Sequence, residues 1–461
     1  MAFSPELAEI RFGCGLSPVV TPVVSKQAML DGLTGPDTMV DRFPIEHFDE
    51  FLNRMVVASE MRKRMKKARG TPDFDGVRKE YQVLNKVARV DMVKWFGRTL
   101  LRRVYSQTTF RERLAYFWGD HFSATGKTGL IRRATSPYIE DAIRPNISGR
   151  FADMLIAAVS HPTMLHYLDQ VRSMGSDSVR AIKKGNRTGL NENLAREVLE
   201  LHTLGVDGPY TQTDVRQLAE LFTGMSFQPK VGLQFRRDYV EPGPETVLGR
   251  TYGDKPLNMT PILAVLEDLS VHPATAQHIS WKLAVHFVAD KPDPALVEHM
   301  TTRYRESDGD LMAVYAAMLD HPAAWAPELR NVKTPVEFVT STARALQVHP
   351  ERIDRMNEKR MRGTFIGPMR LMGQNWQKPL GPDGWPEEDD VWISPQNVAA
   401  RLQWAMAAPR KMRPNLPDPR TFVDVALGAR APAAVKFAAG AAESKSEAIG
   451  LVLASPAFQR R

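Results

Sequence analysis

The side chains best suited to chemistry lie in residues 189–205, which read GLNENLAREVLELHTLG. A helix turns by about 100° per residue, so the polar side chains of this stretch share one face. That face carries Glu192, Asn193, Arg196, Glu197 and Glu200. Glu197 and Glu200 are one turn apart and could share a metal ion, or hold a proton where water is excluded. The stretch is therefore a candidate catalytic or metal site.

The same face also has a purely structural interpretation. Glu192, Arg196 and Glu200 follow each other at intervals of four residues, so Arg196 can bridge both carboxylates in a solvated salt-bridge ladder. The alternative is a buried polar cluster that binds a ligand, a metal or a partner. His202 falls on the apolar side of a regular helix. It is therefore either a hydrogen-bonded histidine of the core or a catalytic residue.

Helix signals define the elements around this stretch. The central helix ends at Gly205, because glycine readily adopts the left-handed conformation of a helix end. A second helix begins at Thr211, which forms a capping box with Asp214, and ends at Gly224. This second helix has too few exposed cations, Arg216 among them, to read DNA.

A second candidate histidine, His121, lies on an earlier helix. That helix is predicted to begin at Thr109, with Glu112 completing a capping box. Trp118 and His121 share the apolar stripe, which predicts a histidine buried behind the tryptophan. The functional alternative is that His121 points toward the face of Glu197 and Glu200.

Two loops supply candidate ligand-binding residues. Residues 172–190 form a long basic loop that leads into the central helix and is either an anion-binding lid or a surface loop. Its candidates are Arg180, Lys183, Lys184 and Arg187. A later loop rich in proline and glycine carries Trp376, Trp385 and Trp392. These rings either form the wall of a pocket, where they could bind a sugar by stacking, or attach the loop to the core.

The strongest concentration of positive charge lies in residues 62–69, which read RKRMKKAR. The run ends a helix predicted over residues 45–69, and another helix is predicted over residues 77–105. These cations could contact a polyanion. No aromatic residue interrupts the run to stack on bases, so a solvated or partner-facing helix end is favoured over nucleic acid.

Composition indicates a folded, water-exposed protein. The 461 residues are 43% apolar and 25% charged, with a net charge of +8. No apolar run is long enough to span a bilayer, and the first residues show no export signal, so a cytoplasmic location is expected. Cys14 is the only cysteine, which excludes an internal disulfide and a cysteine-cluster metal site. Fingerprints of zinc proteases, P-loop enzymes, serine hydrolases and dinucleotide-binding proteins are absent, and no cofactor is indicated.

Several segments together resemble the bacterial family called domain of unknown function 1800. The segments that carry the resemblance are Arg11-Phe12-Gly13, Phe117-Trp118, His121-Phe122, Tyr167-Leu168-Asp169, residues 189–208, residues 210–215, Thr223-Gly224, Trp281-Lys282-Leu283, residues 332–339 and Gly384-Trp385-Pro386. The resemblance covers most of the chain and implies one family domain over residues 1–461. It also implies a partner protein related to sulfatases or alkaline phosphatases. Relatives in the family are often exported. The family's activity is not established.

The sequence predicts a mainly α fold: a large multi-helix domain with a small irregular or β insertion. Its sub-parts are an N-terminal helical region (1–110), a central core (111–345) with an excursion at 225–260, and a C-terminal part (346–461). The favoured function is a ligand-binding or accessory protein that acts with a partner enzyme. The alternatives are a hydrolytic enzyme, metal-assisted or not, that uses the face of residues 193–200, and a polyanion-binding protein that uses residues 62–69.

Overall fold

A computed structural model describes residues 3–185, 189–253 and 257–461. The fold is mainly α, with two small two-stranded antiparallel sheets, as predicted. Within these described ranges, no helix has both the length and the apolar character needed to cross a bilayer.

The N-terminal third contains the two longest helices. Its helices are α1 (Pro5–Leu7), α2 (Lys26–Thr34), α3 (Thr38–Arg42), α4 (Phe48–Ala68), α5 (Phe74–Tyr105) and α6 (Thr109–His121), with a π-helical turn at Ala8–Phe12. The long helices α4 and α5 pack against each other. Both were predicted, and their boundaries differ from the prediction by three residues at most.

The capping box predicted at the start of α6 is wrong. The hydroxyl of Thr109 donates to Glu9 at 2.9 Å, and Glu112 accepts two hydrogen bonds from Arg144. Both side chains are buried. Long-range partners have therefore replaced the local cap, because a buried carboxylate is stabilised more by a guanidinium than by one amide.

The middle of the chain is built from short helices. They are α7 (Thr135–Tyr138), α8 (Phe151–Ser160), α9 (Pro162–Tyr167), α10 (Val179–Lys183), α11 (Asn193–Glu197) and α12 (Gln212–Leu221), with π-helical turns at Ile139–Ile143 and Val198–Thr203 and 3₁₀ turns at Ile131–Arg133, Arg144–Asn146 and Gln170–Arg172. The capping box of Thr211 and Asp214 at the start of α12 is confirmed.

The central helix is not a regular α-helix throughout, which corrects the prediction. It changes to π-helix at Val198, and the amide of Leu204 donates to the carbonyl of Leu199. The hydroxyl of Thr203 donates to the carbonyl of Val198 at 2.7 Å, which satisfies one group of the widened turn. Such turns are rare and frequent at functional sites. The helix ends as predicted near Gly205, whose φ is +90°.

The predicted β insertion follows α12. Strands β1 (Met225–Gln228) and β2 (Gly232–Phe235) pair antiparallel, with Met225 opposite Phe235. Strands β3 (Glu245–Val247) and β4 (Arg250–Tyr252) form a second hairpin, and a 3₁₀ turn at Arg237–Tyr239 lies between them.

The rest of the chain is helical. It contains α13 (Thr260–Ser270), α14 (Pro273–Phe287), α15 (Pro294–Glu306), α16 (Leu311–Asp320), α17 (Pro335–Ala345), α18 (Pro350–Asp354), α19 (Glu358–Met361), α20 (Gly367–Leu371), α21 (Asp389–Trp392), α22 (Pro395–Met412), α23 (Pro419–Leu427), α24 (Ala433–Ala441), α25 (Lys445–Ala454) and α26 (Pro456–Gln459). It also contains a π-helical turn at Arg362–Ile366 and 3₁₀ turns at Pro322–Trp325 and Gly428–Arg430.

Two large hydrophobic cores meet at α5 and α6. The apolar face of α6, including Trp118, belongs to a core that also contains the central helix and α13–α16. The C-terminal half of α5, including Phe96, belongs to a core shared with α17 and the C-terminal helices. The polar side chains between these two helices therefore lie between two hydrophobic cores, and the packing of both cores fixes their positions.

Candidate functional site

A cavity lies between α5, α6 and the loop that follows α20. It is partly open to solvent. Three groups of wall residues matter for its chemistry. They are Arg102 and Arg103 from α5, Glu112, Tyr116 and Asp120 from α6, and Gln374, Trp376, Gln377 and Trp385 from the loop. We call this space the central cavity.

Buried ion pairs stiffen two walls of the central cavity. Arg102 donates from Nη1 to both carboxylate oxygens of Glu140, at 2.7 and 2.9 Å. Arg144 contacts Glu112 at 2.6 and 3.1 Å and Asp37 at 2.6 and 3.0 Å. Such pairs cost free energy to desolvate but have well-defined geometry. They hold the wall in place before any ligand binds.

Three buried nitrogens of the cavity walls lack hydrogen-bond acceptors within the described structure. They are Nη2 of Arg102, Nε of Arg103 and Nε1 of Trp376. Arg102 and Arg103 are only 1% and 2% exposed. A buried donor without an acceptor costs roughly 1–3 kcal/mol. All three belong to residues that line the central cavity.

Arg103 is the least neutralised of these cations. Its guanidinium lies 4.8 Å from the ring centroid of Tyr116, and its Nη1 makes one long contact, 3.5 Å, with the hydroxyl of Thr340. No carboxylate in the described parts of the chain forms an ion pair with it. The Tyr116 hydroxyl accepts a hydrogen bond from Gln374 at 2.7 Å, which fixes the ring beneath the guanidinium.

Asp120 is the cavity carboxyl without a cation at ion-pair distance among the described residues. It accepts a hydrogen bond from the amide of Trp385 at 2.9 Å. Burial, together with the charges of Glu387 and Asp383, raises the pKa of Asp120 to about 8, against the opposing effects of that amide and of Lys282. Asp120 is thus a proton-bearing acid near neutral pH.

A glycine permits the close approach of the loop to α6. Gly384 has a φ of +83°, and a Cβ at this position would lie 2.7 Å from Oδ2 of Asp120 and 2.8 Å from its carbonyl oxygen. Only glycine fits this geometry without strain. The following residue, Trp385, is thereby placed with its amide on Asp120 and its side chain on the cavity wall.

An ordered polar network lies near Asp120. Arg113 lies 3.0 Å from Nε2 of His286. A guanidinium only donates, so Nε2 accepts and Nδ1–H donates to Glu387 at 2.8 Å. Burial and the positive charges of Arg461 and Arg113 hold the pKa of His286 well below its usual range, which agrees with this neutral tautomer. Burial raises the pKa of Glu387 to about 7.

Glu337 neutralises the arginines of this network. It lies 2.9 Å from Arg113 and 2.9 Å from Arg461, and its side chain is buried. Burial alone would raise the pKa of Glu337, but Arg113 and Arg461 hold it well below the usual range. Glu337 therefore pairs with both arginines of the network while His286 stays neutral.

The face of the central helix is a solvated ladder over most of its length. Arg196 bridges Glu192 at 3.3 Å and Glu200 at 3.1 Å, as the spacing predicts, and all three side chains are partly exposed. Asn193 is exposed. Glu197 is half-buried, and burial together with Glu200 and Asp383 raises its pKa to about 7. The face thus consists mainly of surface ion pairs.

No metal site is apparent at Glu197 and Glu200. Across residues 3–185, 189–253 and 257–461, no group of three or more histidine, cysteine, aspartate or glutamate side chains has a geometry that could hold a metal ion. Glu200 is instead engaged by Arg196.

Both candidate histidines are buried. His121 is 2% exposed, packs edge-on against Trp118 and lies 3.3 Å from the carbonyl of His202. His202 is fully buried, and neither of its ring nitrogens has a partner in the described structure. Burial, Lys282 and His278 lower the pKa of His202 to about 3. The histidines therefore belong to a neutral cluster rather than to the Glu197–Glu200 face.

The basic loop candidates do not reach the cavity in the described structure. Arg180 and Lys183 lie on α10, which packs against the 3₁₀ turn Arg237–Tyr239. Lys183 and Lys184 are exposed. Arg187 lies outside the described residues.

The tryptophan candidates divide into two kinds. Trp376 and Trp385 line the central cavity, as one of the two interpretations predicted. Trp392 is buried, donates to the carbonyl of Pro386 at 3.1 Å and packs against Trp385. It supports the loop rather than the cavity.

The basic run of residues 62–69 is a solvated helix end. Arg62 contacts Tyr81 and Arg64 pairs with Glu80, both on α5. Lys63, Lys66 and Lys67 are exposed. The run therefore lies on the surface of the α4–α5 hairpin.

Sequence reasoning missed Arg102, Arg103, Tyr116 and Asp120. The available signals were two adjacent arginines in an otherwise apolar part of α5 and an aspartate between Trp118 and His121. Neither signal is specific, because arginines and aspartates at such positions usually reach solvent.

Several segments that carry the family resemblance meet near Asp120. The amide of Trp385 binds Asp120, His121 contacts the backbone of the central helix at His202, and Lys282 acts electrostatically on both Asp120 and His202. A family model described as "Protein of unknown function (DUF1800)" matches residues 12–460. No curated protein and no solved structure matches the chain. The match over nearly the whole chain means that this protein belongs to the DUF1800 family.

Proposed function

We propose that this protein binds a small anionic, oxygen-rich molecule in the central cavity. The observation that carries the proposal is that three residues with buried, unsatisfied donors, Arg102, Arg103 and Trp376, all line one cavity. Carboxylate, phosphate and sulfate groups present several acceptor oxygens and match the planar fork of arginine.

The remaining walls favour an organic ligand over a bare inorganic ion. Trp376, Trp385 and Tyr116 contribute aromatic surface, and such rings stabilise the apolar faces of a bound molecule. The ligand in this proposal is an organic acid or ester with its anionic group at the arginines.

A ligand-binding role fits the structure better than the two alternatives. On the face of residues 193–200, Arg196 and Glu200 are engaged with each other, which leaves Asn193 and Glu197 of that face for a hydrolytic site. A polyanion site at residues 62–69 would depend on exposed lysines alone, since no residue of this run lines the central cavity. An accessory role beside a sulfatase- or phosphatase-like partner would suit an anionic ligand, since both enzyme classes act on anionic esters.

The test is calorimetric titration with a panel of small carboxylates, phosphate esters and sulfate esters. Arg103→Met removes the charge, and Trp376→Phe removes the indole donor but keeps an aromatic ring. We expect each variant to bind the best member of the panel at least about tenfold more weakly, or about 1.4 kcal/mol. Arg420→Met, at an exposed position of α23, is the matched control. Wild-type affinity in both cavity variants, or no binding by the wild type, would overturn the proposal.

A further inference from the structure

A second cavity lies between the π-helical turn Ala8–Phe12, the C-terminal end of α23 and α26. Two of its wall residues are cationic, Lys333 and Arg430. The other wall residues are apolar, and they are Ile10, Leu329, Ala426, Leu427 and Ala457. We call this space the lysine cavity. It shares no wall residue with the central cavity.

The main chain of Lys333 is held on both sides. Its amide donates to the carbonyl of Gln459 at 2.9 Å, and its carbonyl accepts from Nη2 of Arg401 at 2.8 Å. The amide of the preceding residue, Val332, donates to Asp389 at 2.6 Å. These bonds fix the point of the backbone from which the lysine side chain extends into the cavity wall.

The amine of Lys333 is buried without a polar partner. The residue is 5% exposed, and its Nζ lies 4.0 Å from the ring centroid of Phe458. Among the described residues, Nζ forms no hydrogen bond and no carboxylate lies at ion-pair distance from it. A buried ammonium group without a partner is costly, because its charge has lost the stabilisation of water. The geometry therefore favours the uncharged amine.

The charges around Lys333 act in the same direction. Burial lowers the pKa of its amine to about 7. The positive charges of three buried arginines lower it further, and only the negative charge of Glu337 opposes them. The arginines are Arg113, Arg461 and Arg401. A neutral lysine is a nucleophile, and lysines in apolar surroundings or beside other cations are the ones that form Schiff bases.

Arg430 adds a site for an anionic group in the same cavity. Its Nη1 donates to the carbonyl of Pro327 at 2.6 Å. No carboxylate of the described residues forms an ion pair with it. A guanidinium has five N–H donors and matches the geometry of a carboxylate, so the side chain can bind one while it keeps its bond to Pro327.

We propose that Lys333 forms a Schiff base with an aliphatic oxo acid in the lysine cavity, whose carboxylate pairs with Arg430. The nitrogen of Lys333 attacks the carbonyl carbon and forms a C–N bond. The carbonyl oxygen then leaves with the two amine hydrogens as water, so a C=N bond remains and no oxidant or reductant is consumed. The apolar walls contact the aliphatic chain of the acid. This activity is additional to ligand binding in the central cavity and does not depend on it.

The test is reductive trapping with sodium cyanoborohydride, which converts an imine to a stable secondary amine. The probes are pyruvate, levulinate and the methyl ester of levulinate, which keeps the ketone but lacks the charge. Intact mass counts the adducts, and peptide mapping of the wild type locates them without the need for a variant. The variants are Lys333→Met and Arg430→Met. Lys86→Met, at an exposed position of α5, is the matched control.

We expect one adduct, at Lys333, that forms at about pH 7 at least about tenfold faster than on any exposed lysine. About half of the Lys333 amines are neutral at this pH, whereas an ordinary lysine, with a pKa of about 10.4, is neutral in less than about 0.1% of molecules. The adduct should disappear in Lys333→Met and persist in Lys86→Met.

The charge of the probe tests the role of Arg430. We expect levulinate to modify Lys333 at least about threefold faster than its methyl ester, each relative to the exposed lysines of the same sample, because only the acid pairs with the guanidinium. Arg430→Met should abolish this preference. No adduct, an adduct spread evenly over exposed lysines, or equal rates for acid and ester would overturn the proposal. None of these results bears on the anion of the central cavity, because the two cavities have separate walls.

Discussion

The guanidinium of Arg103 stacks on the ring of Tyr116 with 4.8 Å between the charged carbon and the ring centroid. This contact holds a nearly inaccessible cation at the wall of the central cavity without any acidic partner among the described residues. A cation in that setting is a cost to the fold, since a buried charge without an ion pair is poorly compensated. A cost of this kind is typical of groups kept for binding.

Removing the charge of Arg103 should therefore weaken binding without weakening the fold. We expect Arg103→Met to leave the free energy of unfolding unchanged or to raise it by about 1 kcal/mol, because an apolar side chain of similar length replaces a poorly paired buried ion. Urea denaturation measures this effect. A loss of more than about 2 kcal/mol would show that Arg103 stabilises the fold.

A second buried arginine provides the contrast. Arg344 donates to the carbonyls of Gly15, Arg103, Val104 and Ser106, at 2.8 to 3.1 Å. Arg344→Met would leave these four carbonyls, three of them at the end of α5, without this donor, and we expect a loss of about 3 kcal/mol or more. Similar stabilities for the two methionine variants would contradict the distinction between a binding arginine and a structural one.

Ion pairs in two settings should differ in their contribution to stability. Glu337 is buried between Arg113 and Arg461, so Glu337→Gln is expected to cost about 3–5 kcal/mol, as breaking a buried pair does. Glu200→Gln interrupts only the partly exposed ladder with Arg196 and should cost less than about 1 kcal/mol. The urea midpoints of the two variants measure the difference. A larger loss of stability from Glu200→Gln than from Glu337→Gln would show that the face of the central helix is more than a surface ladder of ion pairs.

The sequence predicted the local parts of this fold well. Helices α4 and α5, the capping box of Thr211, the β insertion and the burial of His121 all depend on residues close together in the chain. Their signals are apolar periodicity, capping residues and turn residues, which a single sequence contains.

The central cavity could not be predicted in the same way. Gln374 bonds to Tyr116 across a separation of 258 residues, and no periodic pattern reports such a contact. The sequence also did not predict the change from α- to π-helix at Val198. This change depends on how one turn packs in the folded protein, which helical periodicity does not report. The tryptophans Trp376 and Trp385 were found because three such rings in one irregular loop are uncommon, although their partners on α5 and α6 were not.

Acid should destabilise the protein through its buried histidines. His202 illustrates why the free energy of unfolding decreases at low pH. Its pKa is about 3 in the folded state and about 6.5 when unfolded. The unfolded state therefore binds a proton first, so stability falls as the pH decreases below about 6.5. At about pH 4.5 this penalty is on the order of 2–3 kcal/mol for His202 alone.

The variant His202→Phe tests this penalty because it keeps a ring but cannot bind a proton. We expect its stability relative to the wild type to improve by on the order of 2 kcal/mol between about pH 7 and pH 4.5. The same substitution at the exposed His349 is the control. An identical pH dependence in wild type and His202→Phe would mean that His202 is not held neutral.

Asp120 should make anion binding depend on pH. Its pKa of about 8 reflects burial and the carboxylates of Glu387 and Asp383, opposed by Lys282 and by the amide of Trp385. Below about pH 8 the carboxyl is protonated and the cavity wall carries no extra negative charge. As the pH rises through 8, Asp120 ionises and repels the ligand's anionic group, so affinity should fall by about tenfold or more.

Asp120→Asn mimics the protonated acid and should keep its affinity above pH 8. Titrating the best-bound member of the anion panel into wild type and variant across this range measures the effect. Glu197→Gln is the control, because Glu197 also titrates near neutral pH but does not line the central cavity. If the asparagine variant loses affinity in parallel with the wild type, the anion does not bind beside Asp120, and the central cavity is not the site.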